Sequence, residues 1–473
     1  MTTPFPTYDI LVLGAGLAGL RAALAACEAA PGCRVAIATL SPGPSGSSFA
    51  NRNARLGLLA PEHDDARQAL STRIMTLASP GTADPALVRI LIEESTTRSA
   101  ELVALGAPVD RGPDGEPMRH PCCFFRQPPS ALLLTDLGQA YTLLAEAAGA
   151  LGAVVLPGRA ACHLLREPQG RICGATFMPT KGGEPLAIRA AAVVIALGGP
   201  ARLFERSIAG PDVPGTSYGL LAEAGAELAG AGFMQFQWAE AISQASFPVH
   251  TLAQPGAGVA GPDGNFRPLP PEVSQYAAKR STHWPIAWGQ PDAALDHALA
   301  THLDDEGMVL VRTARGQILR IAPHAQCGNG GARIAPDGAT TVPGLYAAGE
   351  CATGMHGADR VGGAMAAAAL VFGSRAGTAA AHHAAGAPPT PAKLFNELTK
   401  PTRPLPPTVA ENVCNFPPPI PSTTLRDVLL LNRYPLKILE QNIILELLGT
   451  SYPVHRAALV SALTVVQNLH SIA

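Results

Sequence analysis

The segment "YDILVLGAGLAGLRAALAACEAAPGCRVAIATL" (8–40) leaves less conformational freedom than any other part of the chain. A short apolar run, Ile10–Leu13, meets Gly14-x-Gly16-x-x-Gly19. The alanine-rich run that follows favours a helix, and "RVAIAT" reads as a second, fully buried strand. Strand, glycine turn, helix and strand are the context a dinucleotide fingerprint requires. The three glycines permit the tight turn, the close approach of a pyrophosphate and the packing of helix on strand. The helix N-terminus then offers N–H groups and a positive dipole to the phosphates. Gly14, Gly16 and Gly19 are therefore candidate cofactor-binding residues.

The type of nucleotide follows from two further stretches. NAD sites of this kind carry an acidic residue on the ribose at the end of the second strand. Here Thr39 in "VAIATLSPG" takes that place and no carboxylate is present, which argues for FAD over NAD. A late strand, "TTVPGLYAAGE" (340–350), ends in Gly-Glu and makes Glu350 the candidate for the ribityl–pyrophosphate region. Between them "RAAAVVIALGGPA" (189–201) is another apolar strand ending in a glycine turn at Gly199.

With 473 residues, 47% of them hydrophobic and 15% charged, the chain suits a large, well-buried α/β protein of two or three domains. The expected fold is a Rossmann-like FAD-binding domain, residues 1–230 and 316–390, interrupted by a smaller capping domain at 231–315, where loops, prolines and all three tryptophans collect. Residues 391–473 read as a proline-rich linker followed by amphipathic helices that pack on the body or on another protein chain. A net charge of −2 gives no electrostatic reason to expect nucleic acid as partner. The N-terminus lacks the basic region of a secretory leader, and no uninterrupted apolar stretch of membrane-spanning length is apparent. Nine cysteines without a CxxC pair argue against an intrinsic metal or iron–sulfur site and fit reduced thiols in the cytoplasm.

In this order the motifs resemble the flavoprotein family of L-aspartate oxidase, fumarate reductase and the succinate dehydrogenase flavoprotein, over roughly residues 7–385. The resemblance implies substrate held between the FAD domain and the cap, with hydride passing at flavin N5. "GSSFANRNA" (46–54) matches the family's segment after the second strand. It sets Ser47, beside Ser48, where some members attach FAD through histidine, so non-covalent FAD is implied. The family's Gln-Gly-Gly is here Arg52-Asn53-Ala54. Arg360 in "HGADR" matches the family's carboxylate-binding arginine, His324 in "PHAQCGNGG" its histidine, and Thr251 in "HTLAQPGAG" its threonine. A second histidine of the family falls on Gln237 in "QFQWA", and the glutamate and arginine of its proton relay fall on Leu252 and Pro255. Arg280 in "AKRSTHWP" is the nearest equivalent of the family's catalytic arginine.

After HGADR, the family's helix beneath the flavin ring begins here with Ala364-Met365-Ala366, which keeps the backbone dipole and loses side-chain hydrogen bonds. Asp359 stands beside the clamp arginine, where it could pair with it. The implied function is FAD-dependent oxidation or reduction of a small carboxylate, fumarate/succinate or L-aspartate-like. The implied partner is an electron-transfer or iron–sulfur protein. The alternative is an FAD-binding component of a larger redox complex with little activity of its own. Any membrane association would then come through a partner.

Overall fold

The computed structural model describes residues 5–399 and, near the C-terminus, 457, 460–465 and 467. The first apolar run forms the strand Thr7–Leu13 at the centre of a seven-stranded sheet. On one side it pairs in parallel with Val35–Ala38, which pairs in turn with Val154–Leu156. On the other side it pairs in parallel with Leu186–Ile195. That long strand is shared. Its first half meets the antiparallel hairpin Arg159–Arg166 and Ile172–Pro179, and its second half meets the late strand Leu345–Ala347 in parallel.

Both faces of the sheet are covered, which is why its strands read as continuous apolar runs. Alternation sends Ile10 and Val12 to one layer and Leu11 and Leu13 to the other, all fully buried. Helices Leu17–Ala29 and Ala364–Gly386 lie on the Ile10 side. They come so close that a Cβ placed on Gly377 would stand 2.0 Å from Ala22 O. The alanine content of the second helix is thus a packing requirement. This helix has the length and mean hydropathy, 1.2, of a membrane span, yet 78% of that window is buried inside the protein.

The second unit is a five-stranded antiparallel sheet in the order Met234–Glu240, Ile318–Gly328, Val309–Arg312, Gly258–Ala260, Phe266–Arg267. The boundary expected at residue 316 falls inside it, because Ile318–Gly328 pairs with strands on both sides and carries the cap sheet back to the FAD domain. Of the tail, "LKILEQNIILELLG" lies outside the described residues. Residues 460–465 are helical and dock on the body: Ser461 Oγ accepts the Gly219 N–H at 2.6 Å, and Ala462 and Val465 join the cap core.

Candidate functional site

At the glycine turn, Gly14 has φ +103°, and a Cβ there would stand 2.4 Å from Ala196 O. A Cβ on Gly19 would stand 1.9 Å from Gly14 O. Gly16 differs, for its nearest neighbour would be Ser48 Oγ at 3.7 Å, so the turn is open on that side. The helix beginning at Leu17 has no side-chain cap and no acidic residue in its first turn. Leu17 N–H donates to Ser48 Oγ at 3.4 Å, while Ala18 and Gly19 N–H make no hydrogen bond among the described residues. That is the donor set a pyrophosphate needs. Ser47 Oγ accepts the Gly210 N–H at 3.1 Å, and the side chains of its short helix, Gly46–Phe49, include no histidine. Thr39 is buried at the end of the second strand.

Glu350 follows the late strand and accepts the Gly328 N–H at 2.8 Å through Oε1. Gly199 lies directly against this carboxyl; a Cβ there would fall 2.1 Å from Oε1. Burial pushes the Glu350 carboxyl up to about 7, against the Gly328 N–H and Arg360, which favour its charged form. At the start of helix Ala364–Gly386, Met365 and Ala366 N–H are likewise without partners among the described residues. Two helix N-termini with free N–H groups and a buried carboxyl between them fit FAD, phosphates at the first and ring edge at the second.

Two of the residues expected to meet substrate, Gln237 and His324, lie on the cap sheet. Gln237 stands directly opposite His324, and Gln235 opposite Cys327; the register slips between the two pairs, leaving Gln326 as an extra, bulged residue. This bulge brings His324 and Cys327 to one face, together with Gln235 and Gln237. Arg360 reaches the same face from HGADR. Its Nε donates to Asn329 Oδ1 at 2.9 Å, and Nη2 donates to Gln235 Oε1 and Cys327 Sγ, both at 2.9 Å. Arg360 Nη1 is free among the described residues. Gln235, Cys327 and Asn329, which hold this arginine, were not singled out from sequence. The first lies two residues before Gln237 on its strand, and the other two sit in the His324 motif, so alternation and the motif were the available signals.

Three other residues make contacts that the sequence does not announce. Arg280, the expected acid/base, is buried and has all three guanidinium nitrogens engaged, with Asp296, Trp284 O and the His283 backbone. Asp296 also accepts from Trp238 Nε1, and Trp238 faces the opposite side of its strand from Gln237. Thr251 donates to Pro248 O at 2.7 Å and closes its own 3₁₀ turn. Asp359 does not pair with Arg360. Its carboxylate accepts the N–H groups of Trp288 and Gly289, all at 3.1 Å, and so fastens the motif to the cap.

Burial pushes the Asp359 carboxyl up to about 6, from an ordinary 3.8. The native state therefore holds this proton more tightly than the unfolded chain. The stability it contributes is complete below pH ~4 and lost as pH rises to ~6. Relative to the parent, Asp359→Asn should be more favourable at pH 8 than at pH 4 by about 2–3 kcal/mol, read by thermal melts at both. A variant that loses stability equally at both pH values would contradict this.

A family model described as an FAD binding domain matches residues 9–257 and 293–365. L-aspartate oxidase from Caulobacter vibrioides is 32% identical over 410 residues, covering 82% of this chain and 79% of that protein. The fumarate reductase flavoprotein of Mycobacterium tuberculosis is 27% identical over 419 residues, 80% of this chain and 70% of that one. Among solved structures, one of the Mycobacterium smegmatis Sdh1 complex covers 99% of this chain and 86% of its own, with a TM-score of 0.74 at 21% identity. At that identity the likeness speaks for the fold.

Proposed function

Because the chain belongs to the FAD-binding family of L-aspartate oxidase and the fumarate reductase flavoproteins, we propose that it oxidises or reduces a small carboxylate of the fumarate/succinate or L-aspartate class. It is an FAD-dependent oxidoreductase of that family. When bound, the flavin supplies a site that accepts or donates hydride. The observation that carries the reading is Arg360, fixed by three hydrogen bonds with Nη1 left over, a few residues from the free N–H groups of Met365 and Ala366. A guanidinium held this way meets a carboxylate without reorganising, and charge-assisted hydrogen bonds are the strong ones.

Arg360→Met should lower kcat/KM by roughly 10–10² with flavin content unchanged, since it removes a charged hydrogen-bond donor from the substrate. Unchanged turnover in that variant would end the reading. The FAD is held without a covalent bond in this proposal, supported by the absence of histidine from Gly46–Phe49. Acid precipitation of the yellow protein should leave the flavin in the supernatant, and colour retained in the pellet would refute it. We place the protein in the cytoplasm with a separate electron-transfer partner, an iron–sulfur protein in the first instance. Among the described residues no three His, Cys, Asp or Glu side chains gather to hold a metal.

A further inference from the structure

A cleft of about 500 Å³ lies between helix Pro85–Ala104, the turn at Asp337 and the second half of helix Ala364–Gly386. Its residues on the second helix run from Ser374 to His383. They stand about 15–28 Å along the axis from Ala364, where the N–H groups assigned to the flavin ring begin. The cleft is therefore separate from the flavin site and from Arg360, and its volume suits a small organic ligand.

Its walls hold unused hydrogen-bonding groups of both kinds. Thr72, Thr76 and Thr142, on other helices, turn their hydroxyls back to the carbonyl four residues earlier. Ser374 and Thr378 line the cleft one turn apart, and their hydroxyls make no hydrogen bond among the described residues. On the facing helix, Arg98 Nη1 donates to Glu101 Oε1 at 2.5 Å. Arg98 Nε is buried without a hydrogen bond, and Nη2 meets no acceptor among the described residues. Asp337 Oδ1 accepts the Ala339 N–H at 3.1 Å, and Oδ2 accepts nothing among them. His383 Nε2 is buried and unpartnered, and burial disfavours the charged form of that ring.

The balance of charge narrows the ligand. Two guanidinium groups, Arg98 and Arg375, line the cleft with two carboxylates, Glu94 and Asp337, so neither a small anion nor a small cation meets a net attraction. An apolar ligand would cover these polar groups without satisfying them. Among the described residues no three His, Cys, Asp or Glu side chains gather for a metal. A neutral ligand whose groups both donate and accept remains, and a hydroxyl does both at one atom. We propose that the cleft is a second binding site, for the vicinal diol of a sugar or a nucleoside. Arg98 donates to it, Asp337 accepts from it, and the Ser374 and Thr378 hydroxyls do either. The site is independent of the carboxylate reading above.

The test uses the full-length, FAD-loaded protein, with saturation-transfer NMR and calorimetry and no turnover. The probes are methyl ribofuranoside, adenosine, the dideoxy analogue of adenosine that lacks both ribose hydroxyls, inorganic phosphate and propionamide. The riboside or adenosine should bind at one site per chain, and the dideoxy analogue at least ~10-fold more weakly than adenosine. Binding of the riboside assigns a free sugar, and binding of adenosine alone assigns a nucleoside. Ser374→Ala with Thr378→Val should weaken binding roughly 10-fold, for the loss of two neutral hydrogen bonds. The melting temperature and flavin absorbance should hold, because neither hydroxyl has a partner within the protein. Should that variant not fold, Asp337→Ala, on an exposed turn, carries the same expectation. No binding of either diol, equal binding of the dideoxy analogue, tighter binding of phosphate or propionamide, or affinity unmoved by the substitutions would each overturn the proposal.

Discussion

Gly16→Val is expected to give a soluble, well-folded protein that has lost its flavin, whereas Gly14→Val should fail to fold. The two positions are two residues apart in one motif, and the structure separates their roles. Gly16 has φ −71°, which any L-residue adopts, and a Cβ there meets nothing nearer than Ser48 Oγ at 3.7 Å. The protein therefore admits the side chain. The space it fills is the approach to the free N–H groups of Ala18 and Gly19. Losing two hydrogen bonds to a charged phosphate, at about 1.5–3 kcal/mol each, weakens FAD binding roughly 10²–10⁴-fold. Gly14 has φ +103°, and its Cβ would lie 2.4 Å from a backbone oxygen, Ala196 O. Leu13 and Ile195 pair in the central sheet just there, so relief requires parting two core strands. Absorbance at 450 nm relative to 280 nm after adding FAD, together with circular dichroism melts, distinguishes the outcomes. A yellow Gly16→Val protein would mean that the pyrophosphate lies elsewhere.

The nucleotide half of the molecule is legible in the sequence because its demands are local. Each glycine of the turn answers to atoms within a few residues or to the adjoining strand, and the apolar runs announce a sheet covered on both faces. The alanine-rich run after HGADR was legible as a helix but not in its cause. Its small residues answer to Ala22, more than three hundred positions away, and only the packed pair of helices reveals the contact. The substrate half is harder for the same reason. Whether His324 and Cys327 share a face depends on one bulged residue, which periodicity does not mark. Asp359 adjoins Arg360 in sequence yet turns away to Trp288 and Gly289 of the cap, so adjacency suggested a pair that the fold does not make.

Arg280 shows how far such displacement goes, and its substitution should have the largest effect on stability outside the glycine turn. Its side chain is 2% exposed and that of its partner Asp296 is 0%. Asp296 Oδ1 accepts from Arg280 Nε at 3.3 Å, from Nη2 at 3.2 Å and from Trp238 Nε1 at 3.0 Å. Burial alone drives the Asp296 carboxyl upward, and Arg280 is the main group opposing it. Arg280→Met leaves that carboxyl buried without its cation, at a cost of about 3–5 kcal/mol. Replacing both, Arg280→Met with Asp296→Leu, should restore much of the loss, because an apolar pair incurs no desolvation penalty for buried charge. An arginine that moved protons in the reaction would behave in the opposite way. Turnover would collapse while the melting temperature held, and the Asp296 change would rescue nothing. Melting curves and kcat for the two single variants and the double variant decide between a strut behind the substrate sheet and an acid within the site. The geometry, with every nitrogen engaged and Trp238 on the far face from Gln237, favours the strut.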